Sequence, residues 1–268
     1  MSYIVDPDAS AAAVAIASTP DFYMRAALGL IAGVETVSKF GSNTDVGASE
    51  EDIWAAGGDY PWASADFIPQ IYSGASSDGT AGSGCQVVTL LGLDANFAEQ
   101  SEDITLAGTT TVTASLTFRR VFRVAVKDVG EYGGTNNGAI TIRAGAGGGV
   151  QALVVAERGQ TQLSMYTVPA GYTALLMRIH AVVSKGDTAD IAMYQRPAAD
   201  DVSPPVRGVK LVNFARGVEG VSVQRFASSP VFGEKTDLWF RANRTSGSAA
   251  SVDVSYDLIL FNNTVWGL

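Results

Sequence analysis

Gln160–Val183, QTQLSMYTVPAGYTALLMRIHAVV, is the stretch that decides the fold. Gln160–Val168 reads as a strand and Pro169-Ala170-Gly171 as a turn, with Pro and Gly well placed for type II. Tyr172–Val183 reads as the returning strand. Period-two alternation sets Leu176, Arg178, His180 and Val182 on one face of it, and Leu175, Met177, Ile179 and Ala181 on the other.

The same grammar runs outward in both directions. Upstream, Val87–Leu91, Glu102–Leu106, Val112–Leu116 and Phe118–Val126 are strand patterns, and Asn136-Asn137-Gly138 signals a tight turn before Ala139–Ile142. In Phe118–Val126 the alternation puts Phe118, Arg120, Phe122, Val124 and Val126 on one face. Downstream follow Ala189–Arg196, Val209–Phe214, Gly220–Phe226, Thr236–Ala242 and Val252–Phe261. Strand–helix alternation is missing, so the expected fold is all-β. It comprises two successive β-sandwich or jelly-roll-like domains, 61–149 and 150–268, parted at Gly147-Gly148-Gly149. An extended, partly helical N-terminal arm, 1–60, precedes them. In it Asp8 caps an Ala-rich turn over Ala9–Ala17, and Thr19-Pro20 opens a helix to about Leu30. The rest of the arm reads as a polar strap with spaced aromatic anchors, which packs on another surface because it has little core of its own.

Composition removes several function classes. Among 268 residues, 47% are apolar and 17% charged, enough to bury a core. Lys+Arg number 18 against Asp+Glu 27, and a formal charge of −9 opposes a nucleic-acid backbone, so no nucleic-acid partner is expected. Met1–Ser10 carries Asp6 and Asp8 without Lys or Arg, and no apolar run reaches bilayer length, so the expectation is a cytosolic chain with no membrane partner. A single cysteine, Cys85, and a single histidine, His180, exclude a disulfide framework and multi-histidine or multi-cysteine metal sites.

No catalytic constellation assembles from the remainder. His180 lies beside Arg178 on a mixed strand face, and no G-x-S-x-G elbow accompanies it. Glu50-Glu51-Asp52 and Asp200-Asp201 are sequence neighbours, whereas glycosidase acids arrive from separate strands. Gly145–Gly149 lacks the GK[ST] of a phosphate loop. No cofactor is expected. Candidate contact residues are Phe22, Tyr23, Lys39, Phe40, Asp52, Trp54, Tyr60 and Trp62 in and beside the arm, with Arg119, Arg120 and Arg123, the one tight basic group.

Phe22-Tyr23, Lys39-Phe40-Gly41, Asn43, Asp45, Glu51-Asp52-Ile53-Trp54 and Gly57-Gly58-Asp59-Tyr60 resemble a module at the start of tailed-bacteriophage virion proteins. Val88–Phe97, Glu102 with Thr105–Thr109, Tyr166–Ala174 and Glu234–Leu238 look like later elements of the same chains. Ser42 and Thr44 depart from that pattern, which has a basic residue and Pro there. The resemblance implies a non-enzymatic structural component of the particle: a capsid decoration or cement protein on the exterior of the virion, assembled in the host cytoplasm. Its partners would be the major capsid protein and further copies of itself, a trimer preferred over a dimer. The alternatives are a glycan-binding host-receptor module on a head or tail fibre, and a β-sandwich glycan hydrolase with scattered acids.

Overall fold

Short alternating runs bounded by Gly, Pro, Asn and Asp fold into antiparallel strands, and the protein is all-β as its sequence predicts. The computed structural model describes residues 22–247 and 249–268, so the expected Ala9–Ala17 turn and the Pro20 helix start lie outside the described residues. The described chain opens with helix α1 (Phe22–Ala27) and strands β1 (Val34–Val46), β2 (Glu51–Asp52), β3 (Gln70–Ser73), β4 (Cys85–Leu93), β5 (Glu99–Thr105), β6 (Val112–Thr113), β7 (Arg120–Val129), β8 (Ile140–Arg143) and β9 (Val150–Val154). It continues through β10 (Tyr166–Thr167), β11 (Tyr172–Val183), β12 (Thr188–Arg196), β13 (Lys210–Val218), β14 (Gly220–Arg225), β15 (Val231–Phe232), β16 (Asp237–Ser246) and β17 (Ala250–Asn262) to a closing turn, α2 (Asn263–Trp266).

Two layers of sheet form around each of two main cores. Sheets β6-β3-β8-β9 and β5-β4-β7 enclose Ile71, Val88, Leu90, Phe118, Val124 and Ile142. Sheets β1-β17-β11-β14 and β10-β16-β12-β13 enclose Leu176, Phe240, Val254, Tyr256 and Leu258. The second sandwich thus includes β1 and β2, which precede the first in sequence. Val34–Val46, expected as part of a polar arm, is a 13-residue strand paired with β17 from Val34↔Phe261 to Val46↔Ala250. Its inward positions include Lys39, Gly41 and Asn43, so apolar alternation could not reveal it. The helix expected over Pro20–Leu30 is observed as the shorter α1, whose Ala26 packs with Val34 and Ile259 over the outer face of the β1–β17 sheet.

Bulges redirect two strands from their expected faces. In β11 the register against β17 slips between Leu176 and Arg178, so Leu176 points into the core with Ile179, Ala181 and Val183, while Arg178 turns outward. In β7 the slip opposite Leu91/Gly92 sends Val121 and Val124 into the first core and leaves Phe122 to pack on the second. Gly92 permits this approach, because a Cβ there would lie 2.0 Å from the Arg120 carbonyl oxygen. Gln160–Val168, expected as one strand, contributes only the two-residue β10 and isolated bridges. It is a crossing segment, buried at Thr161, Leu163, Ser164, Met165, Tyr166 and Val168 between the sandwiches. Asn136-Asn137-Gly138 is not a tight hairpin turn either; the Asn136 amide donates to the Gly138 and Val155 carbonyls inside a longer loop.

Gly41 reports on how tightly β1 is seated. A Cβ on it would meet the Ile53 carbonyl oxygen and the Ser164 amide nitrogen, both at 2.5 Å. Gly41→Ala is therefore expected to destabilise the protein by about 2–3 kcal/mol, an overpacking cost, measured by urea denaturation. An unchanged midpoint would show that β1 is not held this closely.

Candidate interaction surface

The arm's aromatic anchors bury against their own chain. Trp54 and Tyr60 are buried, and their rings form an edge-to-face run: Trp54 to Tyr60 at 5.1 Å, Tyr60 to Trp62 at 5.0 Å, Trp62 to Trp239 at 5.4 Å. Tyr194 stacks on Trp239 at 5.7 Å and closes the run. The Tyr60 hydroxyl donates to the Gln151 carbonyl at 3.1 Å, joining the strap to β9. These rings, expected as anchors of the strap, pack together in the joint between the two sandwiches.

Arg120 crosses the same joint. Asp237, with no exposed side-chain surface, accepts two parallel hydrogen bonds from Arg120 Nε and Nη2, both at 3.1 Å. Arg196 Nη2 and Thr167 Oγ1 also donate to that carboxylate. The Arg120 guanidinium lies 5.2 Å from the Trp62 ring centroid and donates to the Ala63 carbonyl.

The other candidates divide between inside and outside. Asp52 is buried, accepting the Tyr60 amide at 2.6 Å and lying 3.2 Å from Arg241 Nε. Arg241 also pairs with Glu50 and Asp59. Burial pushes the Asp52 carboxyl up to about 6, against the pull of the Tyr60 N–H and of Arg241. Lys39 is buried and donates to the Phe122 carbonyl. Arg123 donates to the Ser38 carbonyl at 2.6 Å, and Arg119 pairs with Asp66 at 2.5 Å. All three arginines of the basic group thus have partners within the chain. Phe22 and Tyr23 on α1 are exposed, and Phe22 stacks on Phe261.

Phe40 alone among the strap candidates lies on the outer face of the β1-β17-β11-β14 sheet. Directly opposed residues share a face, and the registers build three cross-strand rows. These are Ser38–Asp257–Arg178–Arg225, Phe40–Ser255–His180–Val223 and Ser42–Asp253–Val182–Val221. At β14 the polarity of the sheet is inverted. Val221 and Val223 are 65% and 52% exposed, whereas Ser222 and Gln224 turn inward beside Ala181 and Ile179, leaving Gln224 Oε1 buried without a hydrogen bond. β13 adds Leu211 and Phe214, also exposed, with Val209 just before it. β13 and β14 follow one another but edge the two facing sheets without pairing to each other, and each pairs on one side only, so the hairpin-shaped connection between the sheets presents two open strand edges. Between Pro205 and Phe226 this hairpin carries Arg207, Lys210, Arg216 and Arg225 against Glu219 alone, in a chain of net charge −9. Sequence reasoning missed this surface. Alternation was visible in Gly220–Phe226, but nothing local said which face was inward.

Nothing at His180 forms a catalytic arrangement. Its cross-strand neighbours are Ser255 and Val223, and among the described residues no hydrogen bond joins it to Ser255. Cys85 is buried, and burial with the nearby Asp78 and Asp128 carboxylates pushes its thiol up to about 12. Asp78 is a buried node. Burial raises its carboxyl, but hydrogen bonds from Ser73, Asn137, Gly138 and Cys85 outweigh that and hold it below the usual range. Among the described residues no group of three or more His, Cys, Asp or Glu is placed to hold a metal, and no helix is long and apolar enough to cross a membrane. A depression of about 570 Å³ lies between the sandwiches, with Ser42, Gln162, Asp253, Leu153 and Arg158 on its walls.

No protein-family model matches the sequence, and no curated protein matches it. Among solved structures, the chain is similar to that of the infectious bursal disease virus Gx strain, at 8% identity and a TM-score of 0.23 over 85% of this chain and 76% of that one. It is similar also to the infectious bursal disease virus VP2 subviral particle, at 10% identity and a TM-score of 0.22 over 85% and 72%. Likeness at this level bears on neither fold nor function.

Two measurements test the joint. Removing Arg120 leaves the buried Asp237 carboxylate with Arg196 and Thr167 as its donors, so Arg120→Leu is expected to cost about 3 kcal/mol, and the Arg120→Leu/Asp237→Leu double variant less than the sum of the single ones. Additive losses would mean that the pair does not couple the sandwiches. For Asp52, the folded chain holds the proton more tightly than the unfolded chain between the ordinary value of 3.8 and about 6. Its contribution to stability is therefore largest below that window and falls as pH rises through it. Urea titrations from pH 4 to 7 should show a flatter profile for Asp52→Asn than for the parent; parallel profiles would refute the assignment.

Proposed function

We propose that this protein is a non-enzymatic structural component of a tailed-phage virion, a decoration or cement protein that binds the outside of the shell and braces its major capsid protein. The observation that carries the reading is the inverted polarity of β14, whose Val221 and Val223 face solvent, while β13, on the edge of the facing sheet, exposes Leu211 and Phe214. Val221, Val223, Leu211 and Phe214 gain nothing from the chain's own core, and burying them against a neighbour would contribute roughly 1.5–3 kcal/mol each if complete. The resemblance of the strap and strands to virion proteins supports the particle as the setting. The basic hairpin suits an acidic patch on the shell partner, while the acidic remainder keeps the protein off packaged nucleic acid. Assembly in the host cytoplasm and a closed oligomer, a trimer before a dimer, belong to the same proposal.

The test combines particles and point variants. Heads lacking this protein should lose resistance to heat or low salt. Val221→Glu/Val223→Glu should fail to restore it, while melting within a few degrees of the parent, because both side chains are already in water. Electron microscopy of native heads should count copies in the hundreds. Robust heads that no longer adsorb would instead assign the protein to receptor binding, and hydrolysis of capsule or wall polymer that is lost in His180→Ala would make it an enzyme.

A further inference from the structure

Where the first sandwich abuts the β1 edge of the second, a groove runs over the outer face of the β1-β17-β11-β14 sheet. It joins the depression of about 570 Å³ between the sandwiches to a second of about 240 Å³, and Ser42, Gln162 and Asp253 line both. The strand registers fix which side chains enter it. Asp253 sits between Ser42 and Val182, and Ser255 between Phe40 and His180, all six on the outer face. With Ser251 one alternation earlier, β17 presents three polar side chains along about 14 Å of the groove, at about 3.4 Å per residue.

These groups are open as well as unpaired. Asp253 and Arg158 are exposed, and Gln162, His180 and Ser255 are half-buried. Among the described residues none of the five side chains makes a hydrogen bond or ion pair, and no polar atom of Gln162, His180 or Ser255 is sealed from solvent. Asp237 and Asp52 spend their oxygens within the chain; Asp253 keeps both of its own for whatever enters the groove.

We propose that this groove binds a neutral oligosaccharide. A sugar hydroxyl donates and accepts at once, so one kind of ligand group serves the acceptor-only carboxylate of Asp253, the donor-only guanidinium of Arg158 and the two-sided amide of Gln162. Charge favours a neutral ligand. Asp253 is the one carboxylate among the residues lining either depression and Arg158 the one guanidinium, so an anion meets Asp253 in the middle of the groove and a cation meets Arg158 at its end. Leu153 and Val155 on one wall, and Phe40 with Val182 further along, supply apolar surface for the C–H faces of sugar rings. Binding without cleavage is expected, because glycoside hydrolysis takes two carboxyl groups flanking the bond and Asp253 stands alone. Val221 and Val223 lie outside both depressions, so the site goes beyond the virion reading and does not rest on it.

The full chain, free of heads, is screened against immobilised neutral, uronic-acid and amino-sugar oligosaccharides, and the neutral members that bind are titrated by calorimetry, with triglycine and trigalacturonate as controls. At least one neutral member is expected to bind saturably and to be recovered uncleaved. Its affinity should hold between about 0.05 and 0.5 M sodium chloride, because screening does not act on an uncharged ligand. Asp253→Asn, whose side chain is already in water, should melt within a few degrees of the parent and weaken binding about tenfold, the loss of a charged acceptor. The same variant should restore heat resistance to heads as the parent does; failure there would mean that the groove meets the shell, and would overturn the proposal. So would no saturable binding to any neutral member, equal binding of triglycine or of a charged sugar, or unchanged affinity in Asp253→Asn.

Discussion

Asp237 has no exposed surface, and a carboxylate in that position is stable only while it is paired and hydrogen-bonded. Its partners come from both halves of the molecule. Arg196 and Thr167 belong to the second sandwich, and Arg120 reaches across from β7 of the first. The carboxylate is fully compensated in one mutual orientation of the sandwiches, and a rotation that separated Arg120 from it would leave the buried Arg120 without a carboxylate and Asp237 with Arg196 and Thr167 alone. Such a pair adds little net stability compared with apolar residues of the same size; its effect is to select one geometry. The favourable area comes from the rings around it, which tolerate small shifts that the charge pair does not.

The strap is the covalent counterpart of that joint. It leaves the second sandwich at β1 and β2, threads Trp54 and Tyr60 into the joint, and only then enters the first sandwich. Its glycines and acids follow from this path. Gly41 lets β1 touch the crossing segment, and Glu51 accepts the amides of Gly47 and Gly58 to close the loop between them. A tether anchored at both ends and buried in the middle is not free to lash a neighbour.

Legibility in the sequence followed burial on one side. β11, β12 and β17 bury one face in a conventional core and could be read from alternation. β1 could not, because its inward side chains at Lys39, Gly41 and Asn43 face the joint, where a polar contact or an absent side chain fits better than an aliphatic one. Gln160–Val168 misled for another reason: buried between two sandwiches, it sets Leu163, Met165, Tyr166 and Val168 among polar residues and imitates a strand while pairing only briefly. The three arginines show the limit of composition. Arg119, Arg120 and Arg123 look equivalent along the chain, yet a bulge one residue long sends only Arg120 to Asp237. The face of β14 was decided by Ile179 and Ala181 in its neighbour, a register that no window of sequence contains.

Open, apolar edges such as β13 and β14 invite pairing with any free strand, and their side chains are the means of limiting it. Arg207, Lys210, Arg216 and Arg225 are spread along the hairpin with Glu219 as the single opposing charge. A twofold contact of this face with itself would bring the same positive patch to both sides. It would therefore bury valines at the expense of like-charge repulsion. A head-to-tail contact, in which the hairpin of one copy meets the acidic surface of the next, or a contact with an acidic shell protein, meets no such repulsion. Of the closed oligomers, a three-membered ring uses head-to-tail contacts and a twofold dimer does not. In the assembly proposed above, the charges on this segment would therefore oppose a twofold contact.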